Sequence, residues 1–345
     1  MANHTQTPRV AIITRTKDRG ILLERAIKSI HQQTMTSFVH VIINDAGDPK
    51  VVDELVEKYK DIIKGRVKVI HNTESHGMEA ASNKAIKSVD SEFVAIHDDD
   101  DSWHPDFLNA TTEHLYLTGG MGVVVTTDQV IERIVGNSVH VVETRRWLPE
   151  THYVSMYKMC RDNYATPITF LYKRSVFKEI GYYDENLKVC GDWDFGLRFI
   201  RKWDIEFLNT EYALAFYHHR PESTGVAGNS VLAGDNLHKF YGNALANKML
   251  RQDLTNGGLG LGYLFNYMKE DKEARIHQEH EKKHLLHEFR DHNIRVEASL
   301  QRVEKMIPAI TSPKRLVRGT LRYAKKAPRK VISFGLRKTG IRRTV

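Results

Sequence analysis

Apolar residues recur along the first hundred residues with two alternating periods. Four short runs rich in β-branched residues predict strands: Val10–Thr14, Val39–Ile43, Val67–Ile70 and Phe93–Ile96. Between them, apolar residues spaced three or four apart predict helices: Leu22–Gln33, Val51–Tyr59 and Met78–Val89. Strands that alternate with helices indicate parallel strands joined by right-handed crossovers. The pattern therefore predicts an α/β fold.

Polar segments follow each predicted strand. They are Thr14–Arg19, Asn44–Asp48, His71–Gly77 and Asp98–Asp101. Ligands of open α/β sheets bind beyond the carboxyl ends of the strands. We therefore expect the functional site to be built from these four segments.

Four consecutive aspartates, Asp98–Asp101, follow the fourth predicted strand. Four neighbouring carboxylates repel one another, and their oxygens are the hard ligands that Mg²⁺ and Mn²⁺ prefer, often together with substrate phosphates. The alternative is a solvated acidic loop that caps the next helix. The run favours a divalent-cation site.

Ordered blocks of sequence resemble glycosyltransferase family 2. They are TRTKDRGILLERAIKSIHQQT, VIINDAGD, HNTESHGMEAASNKAI, FVAIHDDDDSWHPDFL, TFLYKRSVFKEIGYYDENL and GDWDFGLRFI. The resemblance spans about residues 8–225 and implies a Rossmann-like GT-A domain that transfers sugars with inversion. Gly20 stands where the family often has proline, and Asn44–Gly47 where many members have two aspartates and Gly-Ser.

The resemblance implies a donor-binding set at the strand ends. Thr14 and Arg15 would contact the nucleotide, and Asp45 would accept a hydrogen bond from the base, usually uracil. Gly77 and Asn83 would lie close to the nucleotide at the start of the third helix. From the residues alone, Asp45 is equally a turn residue and Asn83 an exposed helix residue.

The family's D-x-D motif maps onto Asp98 and Asp100. The resemblance places Asp98 at the ribose and the metal, with Asp99 in support, and Asp100 on a metal that bridges the diphosphate. The implied cofactor is Mn²⁺ or Mg²⁺, acting as a Lewis acid. His219 would complete the metal shell, although His218 or a plain surface pair are alternatives.

The block that begins at Gly191 implies the general base. An inverting transfer needs a group that takes the acceptor hydroxyl proton, and the resemblance places that role on Asp192. Gly191 replaces the family's commoner glutamate, and Asp194 would brace the helix start. The alternative makes Asp192 the N-cap of a helix over 193–202.

Beyond residue 225 the resemblance ends, and we expect a helical extension over 226–310. A seam with 3-4 spacing runs through Leu286, Phe289, Asn293, Val296, Leu300, Val303 and Ile307. Asn293 occupies a core position, which fixes register in paired helices. The seam predicts either a coiled coil over 286–307 that joins copies of the chain, or packing against the chain's own body.

The net charge of +8 resides in the C-terminal segment. Residues 311–345 hold twelve Lys or Arg and no acid, which leaves 39 basic and 43 acidic residues in 1–310. Basic residues interleaved with apolar ones are typical of a segment that lies on an anionic membrane. A disordered tail is the alternative, and the acidic body makes nucleic acid an unfavourable partner.

Cys160 and Cys190 are the two cysteines, which give no disulfide framework and indicate a reducing compartment. Met1–Arg9 lacks the apolar stretch of a secretory signal, and no apolar run of membrane-spanning length occurs. We expect a cytoplasmic protein, peripheral on the cytoplasmic face of the inner membrane.

The expected activity is transfer of a sugar from a nucleotide-diphosphate sugar, with a UDP-sugar favoured, to a hydroxyl acceptor. The acceptor would be a saccharide or lipid-linked saccharide of bacterial surface polysaccharide or glycolipid synthesis. Two alternatives use the same residues. One is a metal-dependent nucleotidyltransferase, which would want a Gly-rich phosphate loop near the first strand. The other is a non-catalytic sugar-nucleotide-binding scaffold, against which the presence of both the aspartate run and Asp192 argues.

Overall fold

Eleven strands appear in the part of the chain that the computed structural model describes, residues 7–136, 138–149, 151–223, 235–258 and 260–306. They are β1 (Val10–Thr16), β2 (Phe38–Asp45), β3 (Val67–Asn72), β4 (Phe93–Ile96), β5 (Ser102–Trp103), β6 (Gly122–Val125), β7 (Thr127–Val135), β8 (Ser138–Arg146), β9 (Phe170–Lys173), β10 (Glu206–Leu208) and β11 (Ala215–His219).

Ten α-helices lie in the same described ranges. They are α1 (Gly20–His31), α2 (Pro49–Lys58), α3 (Lys60–Ile63), α4 (Met78–Lys87), α5 (Phe107–Thr118), α6 (Met156–Arg161), α7 (Val176–Ile180), α8 (Gly191–Ile200), α9 (Asp235–Thr255) and α10 (Leu261–Met306). The chain divides into two compact units, residues 1–272 and 273–345.

Seven strands form the central sheet, in the order β10-β6-β9-β4-β1-β2-β3. The first four strands of the chain pair in parallel, which confirms the α/β fold expected from the alternating periods. Strand β9 runs antiparallel to both β4 and β6. The carboxyl ends of β1, β2 and β4 therefore meet at one edge, where the polar segments follow them.

The element boundaries differ from the predicted ones by a few residues, for local reasons. Helix α2 begins at Pro49, because the Asp48 carboxylate accepts the Lys50 N–H at 3.0 Å and proline is suited to the first helical turn. Strand β1 continues to Thr16, because its pairing with β2 runs on to Asn44.

A second sheet, in the order β5-β11-β7-β8, stands beside the aspartate run. Strand β11 pairs antiparallel with β5, the two-residue strand that follows Asp101 directly. It also pairs in parallel with β7. The second half of the chain thereby delivers Tyr217–His219 to the end of β4.

Helix α8 packs on the central sheet through aromatic side chains. Phe195 and Phe199 lie against Tyr172 and Phe170 of β9, with ring centroids 5.1 and 5.2 Å apart. Leu245 of α9 and Phe265 of α10 are fully buried in the same core. This packing fixes α8 with its first turn, and hence Asp192, in the cavity beyond the strand ends.

The seam of α10 is exposed. Its residues Leu286, Phe289, Val296 and Leu300 expose between 42% and 64% of their surface. The coiled coil stays a prediction. Residues 307–345, which include Ile307 and the basic tail, lie outside the described residues, so the membrane association also stays a prediction. Within the described ranges, no helix has both the length and the apolar character needed to span a bilayer.

Three buried histidines lie in or next to the central sheet: His31 in α1, His40 in β2 and His97 directly after β4. His31 Nε2 is 3.3 Å from His40 Nδ1, and His40 Nε2 is 2.9 Å from Thr14 Oγ1. The His97 ring lies edge-on to Trp103, 4.5 Å between centroids. Burial lowers the pKa of His31 to about 4 and that of His97 to about 3, and holds the pKa of His40 well below its usual value.

These histidines predict that acid destabilises the fold. Their folded-state pKa values lie below the unfolded value of about 6.5, so the unfolded chain binds more protons as the pH falls below that value. The free energy of unfolding should then fall by up to about 1.4 kcal/mol per pH unit for each histidine. Between pH 7 and pH 5, the free energy of unfolding of His31→Gln, measured with urea, should change less with pH than that of the wild type. His140→Gln, at an exposed position, is the control. If the free energy of unfolding depended equally on pH in all three proteins, the prediction would be contradicted.

Candidate active site

A cavity of about 480 Å³ opens beyond the carboxyl ends of β1, β2 and β4. This volume is within the usual range for small-molecule sites. The first half of the chain lines it with the segments Arg15–Arg19, Asp45, Ser75, Gly77–Glu79 and Asp98–Asp101, and the second half with Asp192 and Tyr217. Seven of the predicted site residues therefore share one cavity: Arg15, Asp45, Gly77, Asp98, Asp99, Asp100 and Asp192.

Three arginines, Arg15, Arg19 and Arg220, form ion pairs with the aspartate run. Arg15 forms an ion pair with Asp98, which is the most exposed carboxylate of these pairs at 26%. Arg19 lies 3.1 Å from Asp99. Buried charge is costly unless it is paired, so these contacts allow the run to sit inside the protein.

Asp100 is held from beneath by a buried network. Arg220 is fully buried and pairs with Asp100 and, at 3.3 Å, with Glu132. Glu132 also lies 2.6 Å from both Arg25 Nη1 and His218 Nδ1. Burial alone would raise the pKa of Glu132, but the hydrogen bond with His218 and the two arginine charges keep it below its usual value. Glu132 thus joins α1 and β11 behind the run.

Asp99 and Asp101 differ in their surroundings. Burial raises the pKa of Asp99 to about 6, against the opposing charge of Arg19. Burial also holds the pKa of Asp101 well above its usual value, and this carboxylate accepts the His218 N–H at 2.8 Å. Asp101 therefore ties the run to β11.

The Asp45 carboxylate receives four hydrogen bonds from one loop. The donors are Asn72 Nδ2 at 2.8 Å, Ser75 Oγ at 2.8 Å, His76 N at 3.1 Å and Gly77 N at 3.0 Å. Burial would raise the pKa of Asp45, but these bonds lower it below its usual value. A carboxylate has about four lone-pair sites, so a base that binds Asp45 would share its oxygens with these donors. The base-binding role stays a prediction.

Thr14 and Asn83 lie behind the cavity and do not line it. The Thr14 hydroxyl contacts His40. The Asn83 amide donates to the Tyr183 carbonyl at 2.9 Å and accepts from the Tyr183 N–H at 3.1 Å. In this arrangement, both side chains brace the wall of the cavity.

The two adjacent histidines have different roles. Both ring nitrogens of His218 are engaged, by Glu132 and by Ser102 Oγ at 2.8 Å. His219 Nε2 is buried and has no hydrogen-bond partner among the described residues. Burial lowers the pKa of His219 to about 4, although Asp100 opposes this. His219 is therefore a neutral imidazole, and it lies close to the Asp100 carboxylate. The neutral form of histidine is the one that binds metals.

The possible metal ligands in this cavity fit a cation that binds together with a diphosphate. Within the described ranges, no three His, Cys, Asp or Glu side chains are grouped to form a complete metal cage. Mg²⁺ usually binds through one or two carboxylates plus substrate phosphates and waters, so it needs no such cage. Asp98 and Asp100 line the cavity as such carboxylates would.

Asp192 lies in the first turn of α8. Its Oδ1 accepts the Trp193 N–H at 2.9 Å and its Oδ2 accepts Asn163 Nδ2 at 2.8 Å. Burial raises its pKa, against the Trp193 hydrogen bond. A raised pKa suits a general base that works near neutral pH. Asp194 instead pairs with Arg198 at 2.7 Å and Lys248 at 3.3 Å, which braces the helix.

Several site residues escaped the sequence analysis. Glu79, Glu132, Asn163 and Arg220 carry no motif of their own. Arg220 follows the His pair directly, and Glu132 sits in an alternating strand, so each has the pattern of an ordinary surface residue. A signal exists only in the pairing of β7 with β11, which joins segments distant in sequence.

Comparison with known proteins matches residues 10–181 to the family model described as Glycosyl transferase family 2. The uncharacterized glycosyltransferase YwdF of Bacillus subtilis is 24% identical over 200 residues, covering 57% of this chain and 70% of that protein. The succinoglycan biosynthesis protein ExoW of Rhizobium meliloti is 36% identical over 94 residues, covering 27% of this chain and 28% of that protein. The crystal structure of S. aureus TarS 1–349 in complex with UDP-GlcNAc has a TM-score of 0.55 at 18% identity, over 74% of this chain and 69% of that chain. This likeness confirms the GT-A fold.

The buried network predicts a large effect of a small change. Glu132→Gln removes a charge that compensates Arg25 and Arg220, so the free energy of unfolding should fall by about 3 kcal/mol, as when a buried ion pair loses one partner. The matched control is Glu143→Gln on the neighbouring strand β8, where the side chain is exposed. Urea denaturation measures both; equal stability of the two variants would refute the role of Glu132.

Proposed function

We propose that this chain moves a sugar from a nucleotide-diphosphate donor to a hydroxyl group with inversion. The chain is a glycosyltransferase and belongs to glycosyl transferase family 2 by its domain at residues 10–181. The observation that carries the proposal is the presence of Asp192 in the same cavity as the four aspartates. A transfer needs one group for the leaving diphosphate and another for the attacking hydroxyl, and the cavity holds both.

The cavity can receive a nucleotide diphosphate. Arg15, Lys17 and Arg19 line it at the end of β1 and bring positive charge near the place where the phosphates would lie. The TarS structures were solved with UDP and with UDP-GlcNAc, which supports a nucleotide-sugar donor for this fold. On this basis, a UDP-sugar is the favoured donor.

Asp98, Asp100 and His219 would hold the cofactor, Mn²⁺ or Mg²⁺. A divalent cation bound there supplies positive charge that stabilises the departing diphosphate. The arginines keep the carboxylates in place: Arg15 orients Asp98, and Arg220 orients Asp100 from below. His219 offers its unprotonated nitrogen.

Asp192 acts as the general base. Its carboxylate takes the proton of the acceptor hydroxyl while an electron pair of that oxygen forms the bond to the anomeric carbon. The bond from the anomeric carbon to the diphosphate oxygen breaks, and its electron pair leaves with the nucleoside diphosphate. Attack on the face opposite the leaving group inverts the anomeric centre.

The acceptor is proposed to be a hydroxyl of a bacterial surface polysaccharide or its lipid-linked precursor. Relatives are named for the biosynthesis of colanic acid, teichuronic acid and succinoglycan, and they support this class of acceptor.

Asp192→Asn tests the base. An amide cannot take the proton, so kcat for transfer should fall by about 10²–10⁴-fold, while nucleotide affinity stays unchanged. Released nucleoside diphosphate measures turnover, and calorimetry measures nucleotide binding. Asp204→Asn, at an exposed position, is the control. Normal turnover by the Asp192 variant would show that another group is the base.

A further inference from the structure

Helix α8 begins without a cap of its own. Its N-cap residue, Cys190, has a φ of 66° and makes no side-chain hydrogen bond to the helix. The first N–H groups of a helix have no partner within the helix and need one from elsewhere. Asp192 lies in this turn, and its carboxylate accepts hydrogen bonds from the Trp193 N–H and the Asn163 amide. The position of the turn therefore decides where this carboxylate lies in the cavity.

Glu79 of α4 occupies the place of the missing cap. Its side chain is buried, with 4% exposed, and its carboxyl group lies against the backbone of Gly191, the first residue of α8. A Cβ atom built on Gly191 would overlap the Glu79 carboxylate. The carboxylate from position 79 therefore fills the space that a side chain at position 191 would take.

The same carboxylate also faces the donor side. Glu79 Oε2 is buried without a hydrogen bond among the described residues, and it lies 3.8 Å from Arg15 Nη1. Arg15 in turn pairs with Asp98. A continuous series of contacts thus runs from Asp98 through Arg15 and Glu79 to the start of α8.

The surroundings of Glu79 oppose its ionisation. Burial raises the pKa of Glu79 to about 8, Arg15 opposes the shift, and the carboxylates of Asp192 and Asp98 add to it. An acidic side chain in such surroundings is unfavourable unless its contacts hold it there.

We propose that Glu79 is a positioning residue for Asp192, because it caps α8 from α4 and ties that helix to Arg15. The proposal rests on the proposed function for the role of Asp192 as base. It also accounts for glycine at position 191, because a side chain there would overlap the Glu79 carboxyl group. The distance between the base and the donor side is then set by one side chain.

Moving the carboxyl group from position 79 to position 191 tests the proposal. Glu79→Ala should lower kcat by about 10–100-fold, as expected for a misplaced catalytic group, while KM for the donor changes little. The double variant Glu79→Ala with Gly191→Glu returns a carboxylate to the same space and should recover most of the lost kcat. Glu74→Ala, at an exposed position in the preceding loop, is the matched control and should behave as wild type. A double variant no faster than Glu79→Ala would overturn the proposal.

Thermal unfolding supplies a readout that does not depend on activity. Gly191→Ala should lower Tm in the wild-type background, because the added methyl meets Glu79. In the Glu79→Ala background the same change should leave Tm unchanged or raise it, because alanine is the better helix former. Equal Tm changes in both backgrounds would overturn the cap. If the wild type transferred sugar from no donor, the proposed function would fail, and this comparison would still decide whether Glu79 caps α8.

Discussion

Charge compensation of the four carboxylates at the end of β4 is the constraint on which the rest of the site depends. Asp99–Asp101 are buried and Asp98 is partly exposed, and these carboxylates could not lie together without positive partners. The partners come from β1, from the loop after it, and from the residue that follows β11. The requirement therefore brings the second sheet against the end of the first. Arg220 is fully buried for this reason, and Glu132 balances it from β7.

The same compensation links the aspartate run to Asp192, the two parts of the proposed transfer site. Arg15 pairs with Asp98 and lies 3.8 Å from Glu79, whose carboxyl group lies against Gly191 at the start of α8. Donor and acceptor groups in a transfer site must be held in a fixed relation, since small misplacements cost large factors in rate. In the proposed account, this relation is set by side chains that carry no catalytic motif.

The sequence predicted the fold well because its signals are local. Period and β-branching identify β1–β4, and the repulsion among four neighbouring aspartates marks the end of β4 as a ligand site. Residues such as Glu132 and Arg220 could not be found this way, because their contacts are distant in sequence. Arg220 lies 120 positions from Asp100 and 88 positions from Glu132 along the chain, yet it contacts both side chains. Asp45 combines both situations. Its local sequence indicates a turn, but the four hydrogen bonds that its carboxylate accepts from residues 72–77 could not be predicted from that turn. Which nitrogen of the His218–His219 pair is available also depends on contacts made only in the folded chain.

The identity of the nucleotide product tests the central claim most directly. The purified chain would be incubated with a panel of UDP-, GDP- and dTDP-sugars, hydroxyl acceptors and Mn²⁺, with and without a chelator, and the products separated by chromatography. The account predicts release of a nucleoside diphosphate from at least one donor, lost when the cation is removed. Release of a nucleoside monophosphate or pyrophosphate would instead identify a nucleotidyltransferase. Binding of donors without release of any product would indicate a scaffold, and either result would contradict the account.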